Sequence, residues 1–190
     1  DEGCQLDLGA LLIAAHARRD LDVDHELARL DALAAGCPDG TLAGVTAHLF
    51  DDLGFTGDTD DYGNPRNSLL DVVLDRRRGI PITLAVVLIE VARRRGLDLV
   101  GVGLPGHFLV RSAGDPDVFV DPFHRALLDR EGCEKLFTTL HGGRARFEPG
   151  YLDPVGPRAV IARMLTNLHR SYIARGDRAG GLWAQCLRVL

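Results

Sequence analysis

His107 and Asp121 are the two side chains in this sequence whose types and placement could do chemistry. An imidazole exchanges a proton near neutral pH, and a carboxylate set against it fixes its tautomer and orientation. His107 stands in PGHFLVR and Asp121 in VDPF, with a turn cluster from Ala113 to Asp117 between them. If Arg111–Asp117 is a hairpin loop, Val110 faces Val118, and counting back pairwise sets His107 opposite Asp121. A one-residue shift would separate them, and the sequence alone leaves that register open. The pair reads equally well as a base with its orienting acid or as a strut between two strands. Asp121 before Pro122 is also an ordinary turn starter.

Two hydroxyls nearby in the chain, Thr83 and Ser68, are candidate nucleophiles. Both have a simpler reading as capping residues, Thr83 in a first helical turn and Asn67-Ser68 at a helix start. Arg66 could pair with Asp121 or bind an anion, Asn67 and Pro81 flank helix starts, and Gly106 would allow close backbone approach beside His107. Together these residues make up the candidate site.

The element that must position them begins at Pro81. From Ile82 to Ala92 only Thr83 and Glu90 interrupt the apolar residues, a run too long for a buried strand. Pro81 suits the first helical position, Arg93 to Arg95 the negative C-terminal end, and Gly96 a left-handed stop. Apolar residues on every side place this helix inside the domain. Strands are expected over Leu97–Leu104, His107–Ser112 and Val118–Asp121, with Gly101 and Gly103 leaving one face open to close packing. Before the central helix, residues 5 to 54 read as helices with stripes Leu8-Leu11-Leu12-Ala15, Leu27-Leu30-Leu33-Ala34 and Leu42-Val45-Leu49-Phe50, and Leu69–Arg78 as a further helix. After it come helices over Leu127–Leu140, Arg158–Arg175 and Arg178–Leu190, the last two resembling a tetratricopeptide unit. The expected division is 1–54 helical, 55–150 core and 151–190 repeat-like helices.

Composition narrows the function classes. The 190 residues suit one domain with a small appendage, and 46% apolar content supports an ordinary core. A net charge of −5, with arginines dispersed or at helix ends, argues against a nucleic-acid surface. The arginine triplets Arg76–Arg78 and Arg93–Arg95 read as solvated helix ends. Cys4, Cys37, Cys133 and Cys186 show no metal spacing, and free thiols in a reducing cytoplasm are expected. No run reaches a membrane span, and no leader pattern opens the chain. The acidic stretch DTDDYGN imitates a calcium loop but has Tyr62 at its fifth position and Leu69 at its twelfth. Neither a metal nor another cofactor is expected.

NPRNSLLDVVLDRRRGIPITLAVVLIEVARRRGL, followed by GVGLPGHFLVR and VDPF, closely resembles the SirB family of bacterial transglutaminase-like proteins. The resemblance covers roughly 62–123 and implies an α+β, papain-like core with a central helix packed on an antiparallel sheet. It also implies a tetratricopeptide region after that core. In active members a Cys near the helix N-terminus works with a His and an Asp on successive strands. His107 and Asp121 match the latter two, while the Cys position falls at or beside Pro81. A thiolate there would draw on the helix dipole and the adjacent His, and proline supplies no nucleophile. The resemblance therefore implies a non-catalytic module binding a protein or peptide. The alternative is a hydrolase or acyltransferase using His107–Asp121 with water or a hydroxyl. Neither partner identity nor oligomeric state is written in the sequence.

Overall fold

The computed structural model describes residues 4–188. Three helical segments open the chain: α1 (Leu6–Ala17), α2 (Val23–Ala35) and α3 (Leu42–Thr46), the last running on into a π-helical turn, Ala47–Asp52. Strand β1 (Thr56–Gly57) pairs in parallel with β2 (Arg78–Gly79), and between them lie a 3-10 turn, Pro65–Ser68, and α4 (Leu70–Arg76). The central helix α5 (Pro81–Arg94) leads to β3 (Leu99–Val102), β4 (Leu109–Ser112), β5 (Phe119–Asp121) and β6 (Ala126–Leu128). Helix α6 (Arg130–Leu140), β7 (Pro154–Val155), α7 (Pro157–Ala174) and α8 (Arg178–Arg188) follow. The expected residues Val189 and Leu190 of the last helix lie outside the described residues.

Every residue of α5 from Pro81 to Ala92 is buried, Thr83 and Glu90 included, as a composition apolar on every side requires. Its first turn is closed by Thr83, whose hydroxyl accepts from the Ile80 N–H (3.2 Å) and donates to the Asn67 carbonyl (2.7 Å). Gly96 ends the segment in the left-handed region at φ +79°. The arginines at that end are not a solvated fringe. Arg94 is only 13% exposed and binds Asp7 of α1, Asp31 of α2 and Glu90 of its own helix, stitching three helices together. Sequence position cannot show this, because the carboxylates arrive from distant segments.

The five-stranded sheet runs β6-β5-β4-β3-β7, with every neighbouring pair antiparallel. Its two faces bury different partners, as alternation along a strand dictates. Phe108, Val110 and Val120 join a core cluster that includes α5 and reaches Leu11 of α1, Met164 of α7 and Ala184 of α8. Val102, Leu109 and Phe119 turn the other way, onto Cys133 and Phe137 of α6. The fold is α+β, with the central helix on one face of the sheet and α6 on the other.

Four local expectations change. The helix expected over Leu127–Leu140 splits into edge strand β6 and α6, because the Asp129 side chain caps the helix by accepting from the Gly132 N–H and Ala126–Leu128 pairs with Phe119–Asp121. Asn67 and Ser68 lie in the 3-10 turn and do not cap α4, whose N-cap is Leu69. In α1, Leu12 is 53% exposed while Leu6, Ala10, Leu11, Ile13 and Ala14 are buried. That helix is apolar nearly all round, so spacing cannot choose its inner face. The fourth change is at Gly106, where an added Cβ would meet nothing nearer than 3.5 Å, so space is not what the glycine provides. Its φ of +80° is the reason. Gly101 and Gly103 do provide space: a Cβ there would sit 2.8 Å from the Phe108 ring and 3.0 Å from the Arg163 guanidinium.

Candidate active-site cleft

His107 follows the turn Leu104-Pro105-Gly106, which its own N–H closes by donating to the Leu104 carbonyl at 2.9 Å. Proline at the second position and a positive-φ glycine at the third are the residues a type II turn demands. Arg163 of α7 clamps this turn from outside, donating to the carbonyls of Leu104 (2.8 Å) and His107 (2.6 Å) while lying over the Phe108 ring. His107 is thus set just before β4 by three contacts made through the backbone of its own turn.

The hairpin register differs from the expected one. Val110 pairs with Val120 and Arg111 with Phe119, a slip of two residues from Val110–Val118. Two is an even shift, so the facing of side chains is preserved and His107 meets Asp121 diagonally. Nε2 of His107 lies 2.9 Å from Oδ1 of Asp121, and both residues are buried. The same Oδ1 accepts the N–H groups of Phe123 (3.0 Å) and His124 (3.2 Å), while Nδ1 of His124 lies 2.6 Å from Oδ2. Burial alone would raise the Asp121 carboxyl. Hydrogen bonding and charge from His107, with hydrogen bonds from His124, outweigh it and hold the group below the usual carboxylate value. An ionised Asp121 only accepts, so Nε2 of His107 carries the proton and a neutral ring keeps its lone pair on Nδ1. That is the tautomer a general base needs.

His124 is the residue sequence reasoning missed. Its ring stacks on His107, with centroids 5.4 Å apart and planes 19° from parallel, and its side chain is half exposed. The signal was present in VDPFH, three residues past Asp121 in the turn that Asp121 starts. Donor atoms of His107, Asp121 and His124 all lie within 4.8 Å of one another, so this trio could also hold a metal ion. A cation there would compete with a carboxylate whose two oxygens already accept from four N–H groups.

His107 opens onto a cleft of about 1070 Å³, walled by Ile80, Pro81 and Ile82 at the start of α5 and by the outer face of α7. Pro81 and Gly106 line it, whereas Arg66, Asn67, Ser68 and Thr83 do not. Asn67 is fully buried, its side chain spanning the Asp61 carbonyl and Arg76. Arg66 is exposed and is not among the partners of Asp121. The Thr83 hydroxyl is occupied in the helix start, and the Ser68 hydroxyl is buried with no hydrogen-bond partner among the described residues. The acidic loop needs no cation: Asp58 pairs with Arg76, Asp60 with Arg78 and Asp61 with Arg175. Of the four thiols none lines the cleft, and burial, with nearby Asp129 and Asp121, pushes the Cys133 thiol up to about 12.

A family model described as the transglutaminase-like superfamily matches residues 8–166, a span that holds the start of α5 and the His107–Asp121 pair. The chain belongs to that superfamily. Among curated relatives, this transglutaminase-like chain is 40% identical over 206 residues to a UPF0162 protein of Xylella fastidiosa, covering all of the chain and 73% of the relative. A UPF0162 protein of Pseudomonas aeruginosa is 35% identical over 172 residues, covering 88% of the chain and 62% of its own length. Mouse F-box only protein 21 is 38% identical over 145 residues, or 73% of the chain and 22% of that protein. No solved structure matches at a significant level. Among the described residues, no helix of this transglutaminase-like protein is long and apolar enough to cross a membrane.

Proposed function

We propose that this transglutaminase-like protein is a non-covalent binding module, which holds a protein or peptide segment in the cleft beside His107. The observation that carries the reading is Pro81. It lines the cleft at the first turn of α5, where the family resemblance puts the nucleophilic thiol, and no cysteine reaches the same space among the described residues. Buried Cys37 and Cys133 cannot take over without unfolding, since burial raises both thiols and the thiolate is the reactive form. A fold without its nucleophile retains shape and electrostatics, which suffice for recognition. Under this reading the His107–Asp121–His124 set orients a ring and a turn in the cleft wall. The antiparallel pair α7–α8 extends that wall as a tetratricopeptide-like unit would, in a cytoplasmic protein.

The test compares wild type with His107→Ala for turnover of a glutamine-bearing peptide with a primary amine, and of an activated ester. The expected result is no turnover above the variant in either assay. Turnover lost in His107→Ala and insensitive to thiol alkylation would replace the binding module with a hydrolase that activates water at Nδ1.

A further inference from the structure

The cleft carries one sign of charge. Arg163, Arg170 and Arg188 line it with His107, and no Asp or Glu does so, although the whole chain is acidic at −5. Arg163 and Arg170 stand seven residues apart on one face of α7, with Thr166, Asn167 and Ser171 between and beside them. Arg170 is exposed and has no carboxylate partner among the described residues, and Arg163 has none either, its bonds going to two backbone carbonyls. The N-terminal end of α5, which bears no side-chain cap at Ile80, opens onto the same space with the positive end of its dipole. Arginines elsewhere in the chain are commonly matched: Arg18, Arg29, Arg76, Arg78, Arg94 and Arg175 each face a carboxylate. Arg163, Arg170 and Arg188, none of which has a carboxylate partner among the described residues, share the cleft.

Building on the binding-module reading, we propose that the occupant of this cleft is an acidic peptide segment in extended conformation. Low-dielectric walls lined by one sign of charge focus the field on an oppositely charged ligand. The spacing selects the class of anion. Seven residues of helix rise about 10 Å, and Arg163 cannot swing toward Arg170 because its guanidinium is pinned to the Leu104–His107 turn. An extended chain of polyproline II type covers about 9 Å in one three-residue turn and returns residues i and i+3 to the same face, so two carboxylates at that spacing would reach one arginine each. The half-exposed Tyr62 ring and the partly exposed Pro105 supply apolar contacts for the intervening side chains, and the hydroxyls and amide of α7 supply partners for peptide groups. A cleft of about 1070 Å³ is at the upper end of the range for small-molecule sites and suits several residues of peptide.

The test is fluorescence anisotropy with labelled oligoglutamate, oligoglutamine of equal length and inorganic polyphosphate, run on wild type, Arg170→Glu, Arg170→Ala and the control Arg19→Glu, which reverses an exposed charge away from the cleft. Oligoglutamate should bind wild type and Arg19→Glu alike and weaken on adding salt. Arg170→Glu should weaken it by about tenfold and Arg170→Ala by less, as expected when attraction becomes repulsion in one case and is only lost in the other. Oligoglutamate binding no better than oligoglutamine, or equally well to wild type and Arg170→Glu, overturns the proposal. Arg170-dependent binding of polyphosphate without oligoglutamate binding also overturns it, in favour of a phosphate ligand. His107-dependent turnover of a bound acidic peptide would instead refute the binding-module reading while leaving the charge assignment standing.

Discussion

Removing the Asp121 carboxylate should separate a structural strut from a dispensable site group. In the folded chain Asp121 accepts from the His107 ring, from the N–H groups of Phe123 and His124, and from the His124 ring. Asp121→Ala leaves the His107 Nε2–H without a partner in a buried setting, at about 1–3 kcal/mol for an orphaned buried donor. The two backbone N–H groups are partly buried and each lose about 1 kcal/mol, whereas the half-exposed His124 ring turns to water. The sum, about 3–5 kcal/mol, matches what breaking a buried charged pair by removing one partner generally costs. Asp121→Asn keeps an oxygen for the three Oδ1 donors and lets exposed His124 change tautomer, so its cost should be about 1–2 kcal/mol, the loss of charge assistance. Urea denaturation at neutral pH measures both. A pH series adds the sign: a carboxyl whose folded pKa is lowered contributes stability above its unfolded value of about 3.9 and loses it as pH falls through the folded value. The gap between wild type and Asp121→Asn should therefore close in acid. Equal losses in the two variants, or a loss below about 1 kcal/mol for Asp121→Ala, would refute the count of donors as the source of the stability.

Three further outcomes are expected. A thiol reagent at about pH 8 should label exposed Cys186 readily and leave Cys133 untouched until the chain unfolds, because a thiol pushed up to about 12 is only about one part in ten thousand thiolate there; rapid native-state labelling of Cys133, located by peptide mapping, would contradict its burial. Pro81→Cys should place a thiol in the cleft at the N-terminus of α5, where the helix dipole favours the thiolate, so iodoacetamide should label it faster and at lower pH than Cys186; labelling no faster than Cys186 would show that the helix end lacks the expected field. Glu90→Gln should be at least as heat-stable as wild type at neutral pH, since burial and Asp7 raise the Glu90 carboxyl while Arg94 keeps Asp7 and Asp31. A raised acid contributes its stability below the unfolded value of about 4.3 and loses it as pH rises through the folded one, so the difference from wild type should vanish in acid; a lower melting temperature for the variant at neutral pH would reverse that ranking.

Local chemistry was enough to read part of this protein from its residues. The extent and burial of α5 follow from its composition, and its ends from Pro81 and Gly96, because covalent and dipolar preferences act over one helical turn. The turn before His107 is likewise written in Pro105-Gly106, and the transglutaminase-like plan in the motif order. Long-range decisions were not legible. The hairpin register fell two residues from the counted one, since β4 and β5 are fixed by which side chains α5 and α6 can bury, and Asp121 survived as the partner of His107 only because the slip was even. His124 entered the site because the backbone after Asp121 turns back onto the same carboxylate. Arg163 and Arg170 were two arginines among many in the sequence. Only the packing of α7 along the cleft, whose lining holds no carboxylate, made them its charged wall.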